Sequence, residues 1–165
     1  MVEKDKLVEM KVKHSGVFDF KDVYGFVYTW FTDNEYQVEE KLYSEKSKGD
    51  QKELEVSWTV RRKVSDYFRF IIKADYRVLR MTNVDIMKDG VKVIMNKGDF
   101  EVKFQGILER DYENRWENTA FLRFLRGIYD RYIAKSTREG YEGQLIGDVQ
   151  EIVSQTKAFL SLSAR

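Results

Sequence analysis

Glu53-Leu54-Glu55-Val56-Ser57-Trp58-Thr59-Val60-Arg61 is the stretch from which the fold can be read. Successive side chains of a strand point to opposite faces, so Leu54, Val56, Trp58 and Val60 share one face. Glu53, Glu55, Ser57, Thr59 and Arg61 share the other. A strand divided in this way lies in an antiparallel sheet with one face on a core and one in water. The pattern repeats downstream, where Phe68, Phe70, Ile72, Ala74, Tyr76 and Val78 oppose Arg69, Lys73, Asp75 and Arg77. It returns in Phe100, Val102, Phe104 and Leu108, and it begins upstream at Tyr36, Val38 and Leu42. Asp89-Gly90, between Val84-Asp85-Ile86 and Val91-Lys92-Val93, is a strong hairpin signal. Lys46 to Asp50 and Asn96 to Asp99 read as further turns, and Gly106 as a bend.

Outside this meander the period changes. Val8, Met10 and Val12 alternate with Glu9, Lys11 and Lys13 in an opening strand from Leu7 to His14, which Ser15-Gly16 ends. Asp19 can cap a helix through Thr32 that carries Phe20, Val23, Tyr24, Val27, Trp30 and Phe31 at helical spacing. From about Asn114 the spacing is helical again, with Trp116, Phe121, Leu125, Ile128, Tyr129, Tyr132 and Ile133 on one apolar face. Two glycines between Ser136 and Gly143 mark a break. Leu145, Val149, Ile152, Val153 and Leu160 then define an additional C-terminal helix over about 144–163. The expectation is one α+β domain over 1–165, with one helix after the first strand. A curved antiparallel sheet of about six to seven strands wraps the C-terminal helices.

Composition narrows the function classes. Hydrophobic residues make up 42% and charged ones 35% of 165 residues, as in soluble globular domains. The absence of cysteine excludes disulfides, thiolate metal sites and thiol nucleophiles. The formal charge is +1, so no bulk attraction to nucleic acid or to anionic membrane follows. Its distribution is uneven: residues 51–138 carry nineteen basic against thirteen acidic groups, and residues 1–50 eight against eleven. The basic middle fits either an anion-binding face or a partner for the acidic N-terminal third. The opening Met1 to Lys6 is charged and lacks the apolar stretch of a secretory signal, so a cytoplasmic location is the expectation. No apolar run is long enough to span a bilayer.

The order strand, helix, antiparallel meander, long C-terminal helix resembles the START-like, helix-grip superfamily over about 7–133. The resemblance rests on element order, since that superfamily has no diagnostic motif. It implies a bent sheet wrapped on a helix, often with an apolar cavity between them. The chain departs from the pattern in its single first helix and in about thirty further helical residues. Leu7-Val8-Glu9-Met10-Lys11 matches only part of the Glu-x-Glu-x-Lys signature of triphosphate-tunnel enzymes. Leu7 stands at the first acid position, which sets that family aside.

Placing alternate residues inward exposes the polar intrusions. His14 is in phase with Met10 and Val12, Glu40 falls between Val38 and Leu42, Arg62 follows Val60, and Arg80 follows Val78. With Trp58 and Tyr76 these four are the candidate ligand-binding residues, and an inward Glu40 should pair with Arg62, Arg80 or a ligand. No Gly-x-Ser-x-Gly elbow, second histidine or Gly-rich phosphate loop completes a catalytic, zinc or nucleotide site. No catalytic residue, metal or cofactor is therefore assigned. The leading expectation is a non-enzymatic protein that binds an apolar or amphipathic small molecule between sheet and helix. Trp58, Phe68, Phe70, Tyr76, Phe100 and Phe104 would line the site. The alternative is a self-assembling structural subunit, cellular or viral, that forms a homo-oligomer through the additional helix. Nucleic-acid binding through Arg61-Arg62-Lys63 with Arg69, or through the helical arginines Arg115, Arg123, Arg126, Arg131 and Arg138, ranks lower. Interleaved Glu109, Asp111, Glu113, Glu117 and Asp130 offset those arginines.

Overall fold

A computed structural model describes residues 2–112, 119–128, 131 and 134–163. Trp116, Tyr129, Tyr132 and Ile133 of the expected apolar face lie outside the described residues, as do Arg115, Glu113, Glu117 and Asp130. The elements run β1 (Glu3–Phe18), α1 (Phe20–Asp33), β2 (Gln37–Lys48), β3 (Gln51–Lys63), β4 (Phe68–Lys88), β5 (Val91–Arg110), α2 (Ala120–Ile128) and α3 (Ala134–Ser163). The architecture is α+β. One five-stranded sheet has the order β1-β5-β4-β3-β2, with every neighbouring pair antiparallel.

The sheet has five strands, not six to seven, because the segments on either side of residues 79–83 and of the expected turn at Asn96 to Asp99 are continuous strands. β5 runs straight through Asn96 to Asp99, and the irregularity falls on β4, where the register shifts between Leu79 and Thr82. Arg80 takes the left-handed conformation there, with φ of 54°. A β-bulge bends a strand without ending it. Gly98 lets the bulged backbone come close, since a Cβ there would sit 2.7 Å from the Leu79 carbonyl oxygen. Ser15-Gly16 likewise stays in the ladder, opposite Asp99 and Gly98, and β1 continues to Phe18.

α1 starts where Asp19 accepts a hydrogen bond from the Asp22 backbone N–H at 3.2 Å. It buries Phe20, Val23, Val27, Trp30 and Phe31. At its end the Tyr36 N–H donates to the Phe31 carbonyl at 2.9 Å, with Glu35 left-handed at φ of 66°. α3 lies on the same face of the sheet, burying Leu145, Val149, Ile152, Val153 and Leu160. Phe26 of α1 stacks on Phe159 of α3 at 4.6 Å between ring centroids.

α3 is one helix from 134 to 163, and the glycines between Ser136 and Gly143 do not break it. Tyr141, set between them, packs on Phe68 at 5.3 Å, and its hydroxyl donates to the Val64 carbonyl at 3.3 Å. Tertiary packing overrides the weak local propensity. The helix that packs on β1 and β5 is the last one. Gly106 serves close approach, not a bend: a Cβ there would lie 2.9 Å from Val8 Cγ1 and 3.1 Å from Val149 Cγ2. On α2, Arg126 is buried while Phe121 and Phe124 are exposed.

Candidate functional site

The inner face between α1 and the β2 side of the sheet holds an aromatic cluster with polar tips. Alternation turns Trp58 of β3 and Tyr76 of β4 inward, and helical spacing brings Tyr24 and Tyr28 of α1 down on them. Ring centroids lie 5.0 Å apart for Trp58–Tyr76, 4.8 Å for Tyr24–Trp58 and 6.1 Å for Tyr28–Trp58, all edge-to-face. Phe20 and Phe100 extend the cluster from Tyr76 at 6.3 and 6.2 Å. Glu40 of β2, opposite Trp58 in the ladder, accepts a hydrogen bond from the Tyr24 hydroxyl at 3.1 Å. β2 bulges just after it, between Glu40 and Leu42, which turns Tyr43 to the inner side opposite Val56. Tyr28 and Tyr43 are both exposed.

Beneath this contact lie two polar atoms that nothing satisfies. Trp58 is 1% and Tyr76 2% exposed, yet neither the indole Nε1 nor the Tyr76 hydroxyl has a hydrogen-bond partner. Burial first, and then the proximity of Tyr24, push the Tyr76 hydroxyl pKa well above its ordinary value. Burial and the bond to Glu40 also raise that of Tyr24; the Trp58 N–H pulls it the other way but falls short of hydrogen-bond geometry. Of the two orphans the Tyr76 hydroxyl is therefore the more isolated. Leaving such a group unpaired costs about 1–3 kcal/mol, and folded proteins rarely do so without a reason.

Three of the six candidates thus come together: Glu40, Trp58 and Tyr76. The other three stand apart. His14 is half-buried at the end of β1, with Nε2 2.9 Å from the Val17 carbonyl and its ring edge-on to Phe18 at 6.1 Å. Arg62 lies at the far end of β3, 3.9 Å from both Glu35 and Asp148 and 5.8 Å above the Tyr36 ring. Arg80 does not follow Val78 inward, because the bulge rotates it out. It is exposed and bound to Asp99, with Nε at 2.9 Å. The pairing of Glu40 with Arg62 or Arg80 is absent, since Tyr24 satisfies Glu40 instead.

A second buried polar cluster has no forerunner among the candidates. Glu109, Asp111 and Arg126 are buried where the end of β5 meets α2. Arg126 reaches Glu3 at 3.0 Å, Asp111 at 3.6 Å and the Tyr67 hydroxyl at 3.3 Å. Arg69 binds Glu109 at 2.6 Å, and Arg110 binds Glu3 at 2.5 Å and Asp5 at 3.2 Å. Part of the basic middle is therefore neutralised by the chain's own N-terminal acids. Burial could not be foreseen here, because the same residues in sequence read as a solvated face.

The sheet's outer face is polar, with Lys11, Glu55, Asp75, Arg77, Glu101 and Lys103 around a shallow depression of about 310 Å³. Among the described residues no group of three or more His, Asp or Glu could hold a metal ion, and no helix is long and apolar enough to cross a membrane. No family model, curated protein or solved structure matches this chain.

Proposed function

We propose that the protein binds an amphipathic small molecule at the mouth between α1 and β2. The ligand's apolar part lies against Tyr24, Tyr28, Trp58 and Tyr43, and its hydrogen-bond acceptor reaches the Tyr76 hydroxyl and the Trp58 indole N–H. The reading is carried by those two buried, unpartnered donors aimed into one aromatic cluster. A binding site differs from a finished core in leaving such groups for the ligand to satisfy. The aromatic rings fill the inner space, so Tyr24 must leave Glu40 to admit the ligand. It is half-exposed and held by one hydrogen bond, which makes it the most easily moved wall. The placement of β1 beside β5, with α3 against both, supports the helix-grip resemblance and the binding role it implies.

Anilinonaphthalene sulfonate, an aromatic with one anionic acceptor, is a suitable probe. It should quench tryptophan fluorescence on binding, and Tyr76→Phe should weaken it about tenfold while Tyr28→Ala weakens it less. Unchanged affinity in Tyr76→Phe would remove the role given to the hydroxyl.

A second reading, self-association, rests on the ribbon beyond Thr82 and Asn96. β1 pairing stops at Asn96 and β3 pairing at Met81, so both edges of this two-stranded tip are open. Met87, Val91 and Ile94 on it are 62–69% exposed. Open apolar edges of this kind pair with other chains. The additional helix no longer serves that role, because its apolar stripe is spent in the chain's own core. Light scattering across a concentration series tests this reading: Met87→Lys with Ile94→Lys should leave a monomer if the ribbon assembles.

A further inference from the structure

At the opposite end of β3, about four residues from Trp58, lies a depression of different chemistry. Its volume is about 320 Å³, and Glu35, Gln37, Arg61, Arg62, Lys63 and Arg69 line it. Four cations and one carboxylate thus face one concavity, whereas the outer-face depression around Arg77 mixes both signs.

The cations are held in place from outside the depression. Glu39 takes one terminal nitrogen of Arg61 at 2.6 Å, and Glu109 takes Nε and one terminal nitrogen of Arg69, both at 2.6 Å. Tyr112 lies under both Lys63 and Arg69, at 5.7 and 5.0 Å. Each anchored guanidinium keeps further N–H groups for a ligand, since arginine carries five. Lys63 has no carboxylate within ion-pair reach among the described residues. Arg62 has no close ion pair: it lies 3.9 Å from Glu35 and from Asp148, with the Tyr36 ring beneath it at 5.8 Å.

Glu35 is the informative member. It occupies the left-handed position that closes α1, which glycine or asparagine usually fills. Its side chain is 82% exposed, and its one carboxylate contact is the weak one to Arg62. A strained residue that leaves a carboxylate leaning over a cationic hollow behaves as a displaceable counterion.

We propose that this hollow binds a small phosphate-bearing anion, a pyrophosphate or phosphate ester, with Arg61, Arg62, Lys63 and Arg69 as donors and Glu35 as the internal competitor. The site is independent of the aromatic one. The volume suits a small molecule, and forked guanidinium donors suit phosphate oxygens.

Titration with inorganic pyrophosphate at low ionic strength, followed by amide shifts in a labelled sample, tests the assignment. Saturable shifts confined to residues 35–39, 61–63 and 69 are expected. Lys63→Ala, an exposed change that leaves the fold intact, should weaken binding about tenfold. Glu35→Gln should tighten it about threefold by removing the competing charge. Arg77→Ala, on the outer face, should change nothing. Shifts centred on the Arg77 depression, or no response to Lys63→Ala and Glu35→Gln, would overturn the proposal. So would a single-stranded oligonucleotide that binds far more tightly than pyrophosphate with a steep salt dependence, since the hollow would then be part of a nucleic-acid surface.

Discussion

Two buried polar clusters sit on this sheet, and they differ in one respect. Around Arg126 every charge has a counter-charge: Glu3 and Asp111 meet its guanidinium, which also donates to the Tyr67 hydroxyl, and Glu109 meets Arg69. Around Tyr76 the surroundings are aromatic, and neither the Tyr76 hydroxyl nor the Trp58 indole N–H makes a hydrogen bond. The first arrangement ties β1, β5 and α2 together by ion pairs, although Arg110 Nε and Asp111 Oδ2 within it also make no hydrogen bond. The second gives up stability locally and leaves donors available. What separates the two is the counter-charge: the orphaned atoms of the first cluster sit among paired ions, and those of the second among aromatic rings.

The comparison breaks first at Arg126. Arg126→Ala leaves the buried Asp111 without its cation, while Glu3 keeps Arg110, and should cost about 3–5 kcal/mol of unfolding free energy in urea. A loss below about 1 kcal/mol would show that the network is solvated and the contrast false.

Alkaline titration probes the buried tyrosines. Burial first, and then the Asp148 carboxylate, raise the Tyr36 hydroxyl above its ordinary pKa, and Tyr76 is raised as well. A raised folded-state pKa gives stability that is complete below the unfolded value near 10. That stability is lost as pH climbs through the folded one, by up to about 1.4 kcal/mol per pH unit for each tyrosine. Stability measured from pH 9 to 11.5 should fall along this slope, and Tyr76→Phe should make it shallower.

At neutral pH the same Tyr76→Phe change should raise stability by about 1 kcal/mol, because it deletes an unsatisfied hydroxyl and leaves the ring in place. A loss of similar size would mean that the hydroxyl is satisfied in solution, and the binding reading would lose its support.

The smallest effect belongs to an exposed, fully partnered carboxylate. Glu9 is held down to about 2 by the Gln105 amide and by Lys6. Its contribution is present above the unfolded value and fades as pH falls toward 2. A carboxyl carbon titration that finds an ordinary midpoint would show those contacts to be absent in solution.

The strands were the most legible part of the molecule. Trp58 and Tyr76 could be placed on the inner face from alternation alone, because side-chain direction in a strand follows parity. Parity failed at Arg80, where a bulge inserts a residue that no composition signal marks, and the candidate moved to solvent. It also failed to show what faces Glu40. Tyr24 lies sixteen positions away on another element, so only helix packing brings the two together. The first turns of α3 are not legible in the sequence, because their glycines weaken local propensity and the anchoring contact of Tyr141 to Val64 spans 77 positions.

By itself the sequence determined the elements that repeat locally: the charged and apolar faces of the strands, the Asp89-Gly90 hairpin and the Asp19 cap. These depend on neighbours within a few residues, where backbone geometry dictates direction. Tertiary structure alone decided that β1 lies beside β5 in a sheet of five strands, that α3 packs on both, and which buried polar atoms find partners. Each of those outcomes depends on groups far apart in the chain meeting at hydrogen-bond distance, which no local pattern encodes.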